Sequence, residues 1–87
     1  MKVEIYSKSN CAFCTKAKIL LGTRKIAYHE YLVQDLTNKH LTLEEHQTWI
    51  SREDLLSEFP NARTVPQIKI DDEPIGGYEN LVARLDA

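Results

Sequence analysis

Ser9-Asn10-Cys11-Ala12-Phe13-Cys14 holds the only two cysteines of the chain, spaced C-x-x-C. An alternating run, Lys2-Val3-Glu4-Ile5-Tyr6, precedes it and reads as a strand; a helix-like run follows it. The pair therefore falls where a strand hands over to a helix. The first N–H groups of a helix have no intrahelical acceptor, and their partial positive charge favours an anion among them. A free thiol has a pKa of about 8.5, which helix N-termini and nearby cations can draw down to roughly 3.5–7.5. Cys11 is placed to feel that field, and Lys8 adds a cation three residues upstream. The thiolate, not the thiol, is the nucleophile.

Cys14 follows at i+3, a helical spacing that sets Cβ atoms about 5–6 Å apart, whereas a disulfide wants roughly 3.5–4.5 Å. The bond closes only with adjustment of the first turn, which favours a pair that cycles over one that staples. The competing readings are an inert packed pair and half of a metal site. Zinc wants four ligands, and no second C-x-x-C or H-x₃₋₅-H pair is present, so no metal is expected.

The chain has 87 residues and a formal net charge of −2 with mixed signs. Such a length allows one compact domain, expected over residues 1–87. The charge balance argues against a nucleic-acid partner held through phosphates. The N-terminus alternates charged and apolar residues, so neither a signal peptide nor a membrane span is expected. Cytoplasm is the expected compartment, where structural disulfides are rare and C-x-x-C points to redox catalysis.

Beyond the cysteines, Ser9 and Asn10 are capping types for a helix whose apolar face is read as Phe13, Ala17, Leu20 and Leu21, with Gly22 near its end. Residues 26–33, rich in Ile, Tyr and Val, form the second strand of a βαβ unit. Residues 34–50 are polar; Thr42-x-x-Glu45 matches a capping box and Ser51-x-x-Asp54 a weaker one, so a loop leading into one or two helices is expected. Leu55, Leu56 and Phe59 give the later helix its apolar face before Pro60. Trp49 reads as packing at a helix end, and no ligand role is expected of His29, His40 or His46. Gln67–Ile70, a turn at Asp71-Asp72 and Glu73–Ile75 make an antiparallel hairpin, and Gly76-Gly77 leads into a last helix with apolar Tyr78, Leu81, Val82 and Leu85. Taken singly, Thr64-Val65-Pro66 reads as well as a turn into a strand as it does as part of a site, and Gly76-Gly77 as well as a turn between elements.

With C-x-x-C at the first helix, T-V-P before the third strand and G-G-Y before the last helix, the chain resembles a glutaredoxin over residues 1–33 and 51–87. The length of 34–50 is similar to that of phage-type members, and Asn10 stands where thioredoxins usually have Trp. The resemblance implies an α/β thioredoxin fold, β-α-β-α-β-β-α, with a four-stranded mixed sheet flanked by helices. It implies a glutathione-dependent thiol–disulfide oxidoreductase active on protein disulfides and glutathione mixed disulfides, with Cys11 as nucleophile and Cys14 as resolving thiol.

It further implies a cis bond at Val65-Pro66, with the Val65 backbone pairing with the cysteinyl part of glutathione and Thr64 beside it. Lys8 would meet the glycine carboxylate, Phe13 would line the groove, and the helix start at Gly77, Tyr78, Glu79 and Asn80 would take the γ-glutamyl carboxylate. Glutathione is the implied reductant, disulfide proteins such as ribonucleotide reductase the implied partners, and a monomer the expected state. Two rival functions are a redoxin fed by thioredoxin reductase and a carrier of a glutathione-ligated iron–sulfur cluster. Phe13 replaces the frequent Tyr, and Ala12 replaces the frequent Pro, which loosens the first turn.

Overall fold

The computed structural model describes residues 1–86. In chain order the elements are β1 (Val3–Ser7), α1 (Ala12–Thr23), β2 (His29–Val33), β3 (Gln47–Ile50), α2 (Arg52–Glu58), β4 (Gln67–Ile70), β5 (Glu73–Gly76) and α3 (Tyr78–Asp86). They build one mixed sheet in the order β3-β2-β1-β4-β5. β1 runs parallel to β2 and β2 parallel to β3, whereas β4 is antiparallel to both β1 and β5. The thioredoxin fold of a mixed sheet flanked by helices is thus present.

The sheet has five strands instead of the expected four, because Gln47–Ile50 pairs along the outer edge of β2. The expected helix after Thr42 does not form. Its capping-box signal is followed by no apolar i, i+3, i+4 stripe, while Thr48, Trp49 and Ile50 are good strand formers facing a free parallel edge. The residues between β2 and β3 are irregular and held by side chains. Asp35 Oδ1 accepts from the Thr37 N–H at 2.7 Å and the Asn38 N–H at 3.1 Å. Asn38, 1% exposed, donates from Nδ2 to the Val33 carbonyl and to Ser9 Oγ, each at 2.9 Å.

β1 is buried along its whole length because both faces of the sheet are covered. Val3 and Ile5 join Ile68, Ile70, Ala17, Leu21 and Leu81 under α1 and α3. Tyr6 joins Leu55 and Phe59 on the opposite face under α2. At about 25 cal/mol per Å² of apolar surface removed from water, these two clusters are the main favourable contribution to folding.

The buried stripe of α1 is Cys14, Ala17 and Leu21, so the apolar face is turned from the expected one and Phe13 is left outside, 53% exposed. With Gly22 near its end, as expected, the helix closes at Thr23. Lys25 adopts φ +56°, and the Ile26 N–H reaches Leu21 O at 2.9 Å while the Lys25 N–H reaches Gly22 O at 3.0 Å, a Schellman close made without glycine. The second strand accordingly begins at His29, three residues later than expected. Asp71 and Asp72, φ +50° and +69°, form the two-residue β4-β5 turn with both residues left-handed, as hairpin twist requires.

Candidate active site

Cys11 caps α1 itself. Its backbone is extended, φ −118° and ψ 107°, and Asn10 before it takes φ +56°, so neither Ser9 nor Asn10 is the cap. The sulfur fills the role a serine oxygen usually plays: Cys11 Sγ accepts from the Cys14 N–H at 3.2 Å. Cys11 and Cys14 are joined as a disulfide with Cα atoms 5.2 Å apart. Cys11 remains partly accessible, while Cys14 is 1% exposed within the stripe that packs on the sheet.

Across from the pair, the Val65-Pro66 peptide bond is cis. The carbonyl oxygen of Val65 lies 3.5 Å from Cys11 Sγ. The same loop meets the start of α3: a Cβ at Gly77 would stand 3.4 Å from the Pro66 carbonyl oxygen, an ordinary contact distance. Gly76 needs its φ of +109°, and a Cβ there would strike Asn80 Oδ1 at 2.5 Å. Asn80 Oδ1 instead accepts from the Gly77 N–H at 3.1 Å. Gly77 itself has no side chain with which to cap the next N–H groups of α3. The Phe13 and Tyr78 rings, centroids 6.1 Å apart, flank this surface, and Lys16 Nζ stands 5.0 Å from the Phe13 centroid.

The expected residues therefore fall into two groups. Cys11, Val65, Pro66, Gly77 and Asn80 are linked by the contacts above, with Phe13 and Tyr78 alongside. Lys8 and Thr64 line a cavity of about 380 Å³ together with Val65 and residues of α2. Glu79 is exposed in the first turn of α3. Among the described residues, no three His, Cys, Asp or Glu side chains gather into a metal site, and no helix is long and apolar enough to cross a membrane. His29 Nε2 and Thr48 Oγ1 are 2.7 Å apart, and the His46 ring packs edge-on against Tyr28.

One polar cluster went unseen in the sequence. Glu30 on β2 is 1% exposed. Its carboxylate accepts from Ser7 Oγ, from Lys18 Nζ at 3.0 Å and from Gln47 Nε2 at 2.8 Å. Burial pushes the Glu30 carboxyl upward, but the bonds from Ser7, Gln47 and Lys18 prevail and hold it below its ordinary value. The cluster ties β1, through its last residue Ser7, to α1, β2 and β3. Neither its partners nor its burial is encoded locally, since Ser7 and Glu30 are 23 residues apart.

The chain matches the glutaredoxin family over residues 3–75. It is 35% identical over 85 residues to glutaredoxin 3 of Escherichia coli K12, covering 98% of this chain and 86% of that one. Among solved structures it is similar to glutaredoxin 1 of Francisella tularensis, in complex with cacodylate, with TM-score 0.73, 32% identity and coverage of 98% and 92%. A buckwheat glutaredoxin–glutathione complex shares the fold at TM-score 0.63 and 22% identity, over 97% of this chain and 67% of that one.

Proposed function

Because this chain belongs to the glutaredoxin family and is thereby a thiol–disulfide oxidoreductase, we propose that it uses glutathione as reductant, with Cys11 as nucleophile and Cys14 as resolving thiol. The observation that carries the reading is the meeting of Cys11 Sγ with the carbonyl of Val65, 3.5 Å away, on the loop that approaches the Gly77 start of α3. An extended peptide can add to the Val65 backbone as a short strand, and a carboxylate suits the free N–H groups of the helix. Glutathione offers both, and the buckwheat protein was solved as a glutathione complex.

In the proposed cycle the Cys11 thiolate attacks the glutathione sulfur of a protein mixed disulfide. The Cys11–glutathione bond forms, the protein–glutathione bond breaks, and the protein thiolate leaves and takes a proton. A second glutathione thiolate then attacks the mixed disulfide, releasing glutathione disulfide and restoring Cys11. With a two-cysteine protein substrate, Cys11 forms the mixed disulfide with the protein itself. Cys14 then attacks Cys11 Sγ, freeing the reduced substrate and leaving the Cys11–Cys14 disulfide, which two glutathiones reduce in turn. The Cys14 N–H aimed at Cys11 Sγ supports the thiolate whenever it is regenerated.

The protein is read as a single cytoplasmic domain acting as a monomer, with Lys8, Phe13, Thr64, Val65, Pro66, Gly77, Tyr78, Glu79 and Asn80 forming the glutathione groove. Ribonucleotide reductase is its proposed protein substrate. A coupled assay tests the reductant. Glutathione, glutathione reductase and NADPH are expected to sustain turnover of a mixed disulfide between glutathione and a small neutral thiol. Turnover with thioredoxin reductase and none with the glutathione system would overturn the reading.

A further inference from the structure

We propose that Asn38 is a positioning residue for the reacting sulfur: by holding Ser9, it makes Cys11 the cap of α1 in place of Ser9 or Asn10. The proposal rests on the reading of Cys11 as the nucleophile.

Three consecutive residues compete to cap this helix. Ser9 and Asn10 carry the oxygens that helix starts prefer, and cysteine is not among the favoured types. Yet it is Cys11 that has the extended backbone of a cap, and its Sγ receives the Cys14 N–H at 3.2 Å. The arrangement requires Asn10 to sit at φ +56°. Residues other than glycine occupy that region sparsely and stay there only when their surroundings hold them. Were Asn10 to relax to an extended conformation and cap α1 itself, Cys11 would become the first helical residue. Its sulfur would then give up the Cys14 N–H.

The hold on this turn comes from the connection between β2 and β3. Asn38 is 1% exposed. Its Oδ1 accepts from the Asp35 N–H at 2.9 Å, its own N–H donates to Asp35 Oδ1 at 3.1 Å, and its Nδ2 donates to the Val33 carbonyl at 2.9 Å. These bonds fix Asn38 to the end of β2 and the turn that follows, which the Gln34 N–H ties to the Ile50 carbonyl of β3 at 3.1 Å. The remaining Nδ2 hydrogen goes to Ser9 Oγ at 2.9 Å, so both donors of the amide are spent. Ser9 is thus anchored to the sheet on one side of Asn10. On the other side α1 is packed on the sheet through Cys14, Ala17 and Leu21. Asn10 is left with the conformation that spans the two anchors.

An N–H bonded to a sulfur favours its ionised form. Asn38 touches neither sulfur nor substrate and acts on the thiolate only through Ser9 and Asn10. This gives the polar β2-β3 connection a part in the chemistry, although it lies 27 residues beyond Cys11 at Asn38.

The test measures the pH profile of Cys11 alkylation by iodoacetamide in the reduced protein. Asn38→Ala removes the anchor from the strand side. Ser9→Ala removes it from the loop side and leaves the other bonds of Asn38 intact, so it decides the matter even where Asn38→Ala does not fold. In both, the Cys11 rate on the acid limb of the profile is expected to fall about tenfold, equivalent to ~1.4 kcal/mol less stabilisation of the thiolate. Adding Asn10→Gly to either variant should restore most of the rate, because glycine accepts the left-handed turn without strain and has no oxygen with which to cap. A wild-type profile in Ser9→Ala would overturn the proposal. So would a slowed profile that Asn10→Gly leaves slow, since general loosening of the loop is not repaired by removing a rival cap. If wild-type Cys11 is more reactive than a peptide cysteine and the variants match it, only this proposal fails. If wild-type Cys11 is no more reactive than a peptide cysteine, the nucleophile reading fails and this proposal with it.

Discussion

Cys11→Ser is expected to abolish every turnover of the protein, by roughly 10³-fold or more, which at 1.36 kcal/mol per decade is ~4 kcal/mol of barrier. Serine can still cap α1 and accept from the N–H of residue 14, so the fold and the helix start survive. What disappears is a sulfur able to ionise near neutral pH and to exchange with another sulfur. Cys14→Ser is expected to behave differently. In the proposed cycle removal of glutathione from mixed disulfides needs only Cys11 and incoming glutathione, so it should persist, whereas reduction of two-cysteine protein disulfides should fall sharply. Cys14 is 1% exposed and meets only a sulfur already delivered to Cys11. Steady-state assays of both variants on both substrate types check the division of labour. Equal losses in the two variants would contradict it.

Glu30→Ala should be the most damaging single change to stability outside the two apolar clusters. It strands Ser7 Oγ, Lys18 Nζ and Gln47 Nε2 around a void, and removing one partner of a buried pair costs about 3 kcal/mol or more. Lys18, at 30% side-chain exposure, can turn partly to water, which holds the loss toward the lower end. The pH dependence has a definite sign. Because the folded-state value is depressed below 4.5, the unfolded chain binds the proton more readily, so the stabilisation is complete above 4.5 and fades as pH falls through the folded-state value. Urea midpoints for wild type and Glu30→Ala should therefore differ widely near neutrality and draw together in acid. A gap that is the same at both ends would mean that the ionised carboxylate is not what holds the cluster.

The cluster also shows where local reading of this chain ends. β1, the helix after Cys11, the hairpin at Asp71-Asp72 and the last helix follow from periodicity and turn chemistry, which are local. The T-V-P and G-G-Y stretches look like simple turns until the fold brings Pro66 against Gly77. Gln47–Ile50 becomes a strand because β2 offers a free edge and Glu30 accepts from Gln47, conditions absent from its own residues. Asn38 reads as one polar residue among many, yet it is buried and holds the β2-β3 connection to Ser9, 29 residues away. Cys11 as its own helix cap was hidden for a simpler reason: Ser9 and Asn10 are the usual capping residues, and only the left-handed turn at Asn10 passes the role to the sulfur.

Alkylation of the fully reduced protein by iodoacetamide across a range of pH tests the central claim most directly, with mass spectrometry assigning each modified residue. Cys11, accessible and receiving the Cys14 N–H, is expected to react far faster near neutral pH than a cysteine in an unstructured peptide, and to keep that rate into mild acid, while buried Cys14 lags behind. A Cys11 rate that follows the peptide cysteine at every pH would contradict the account.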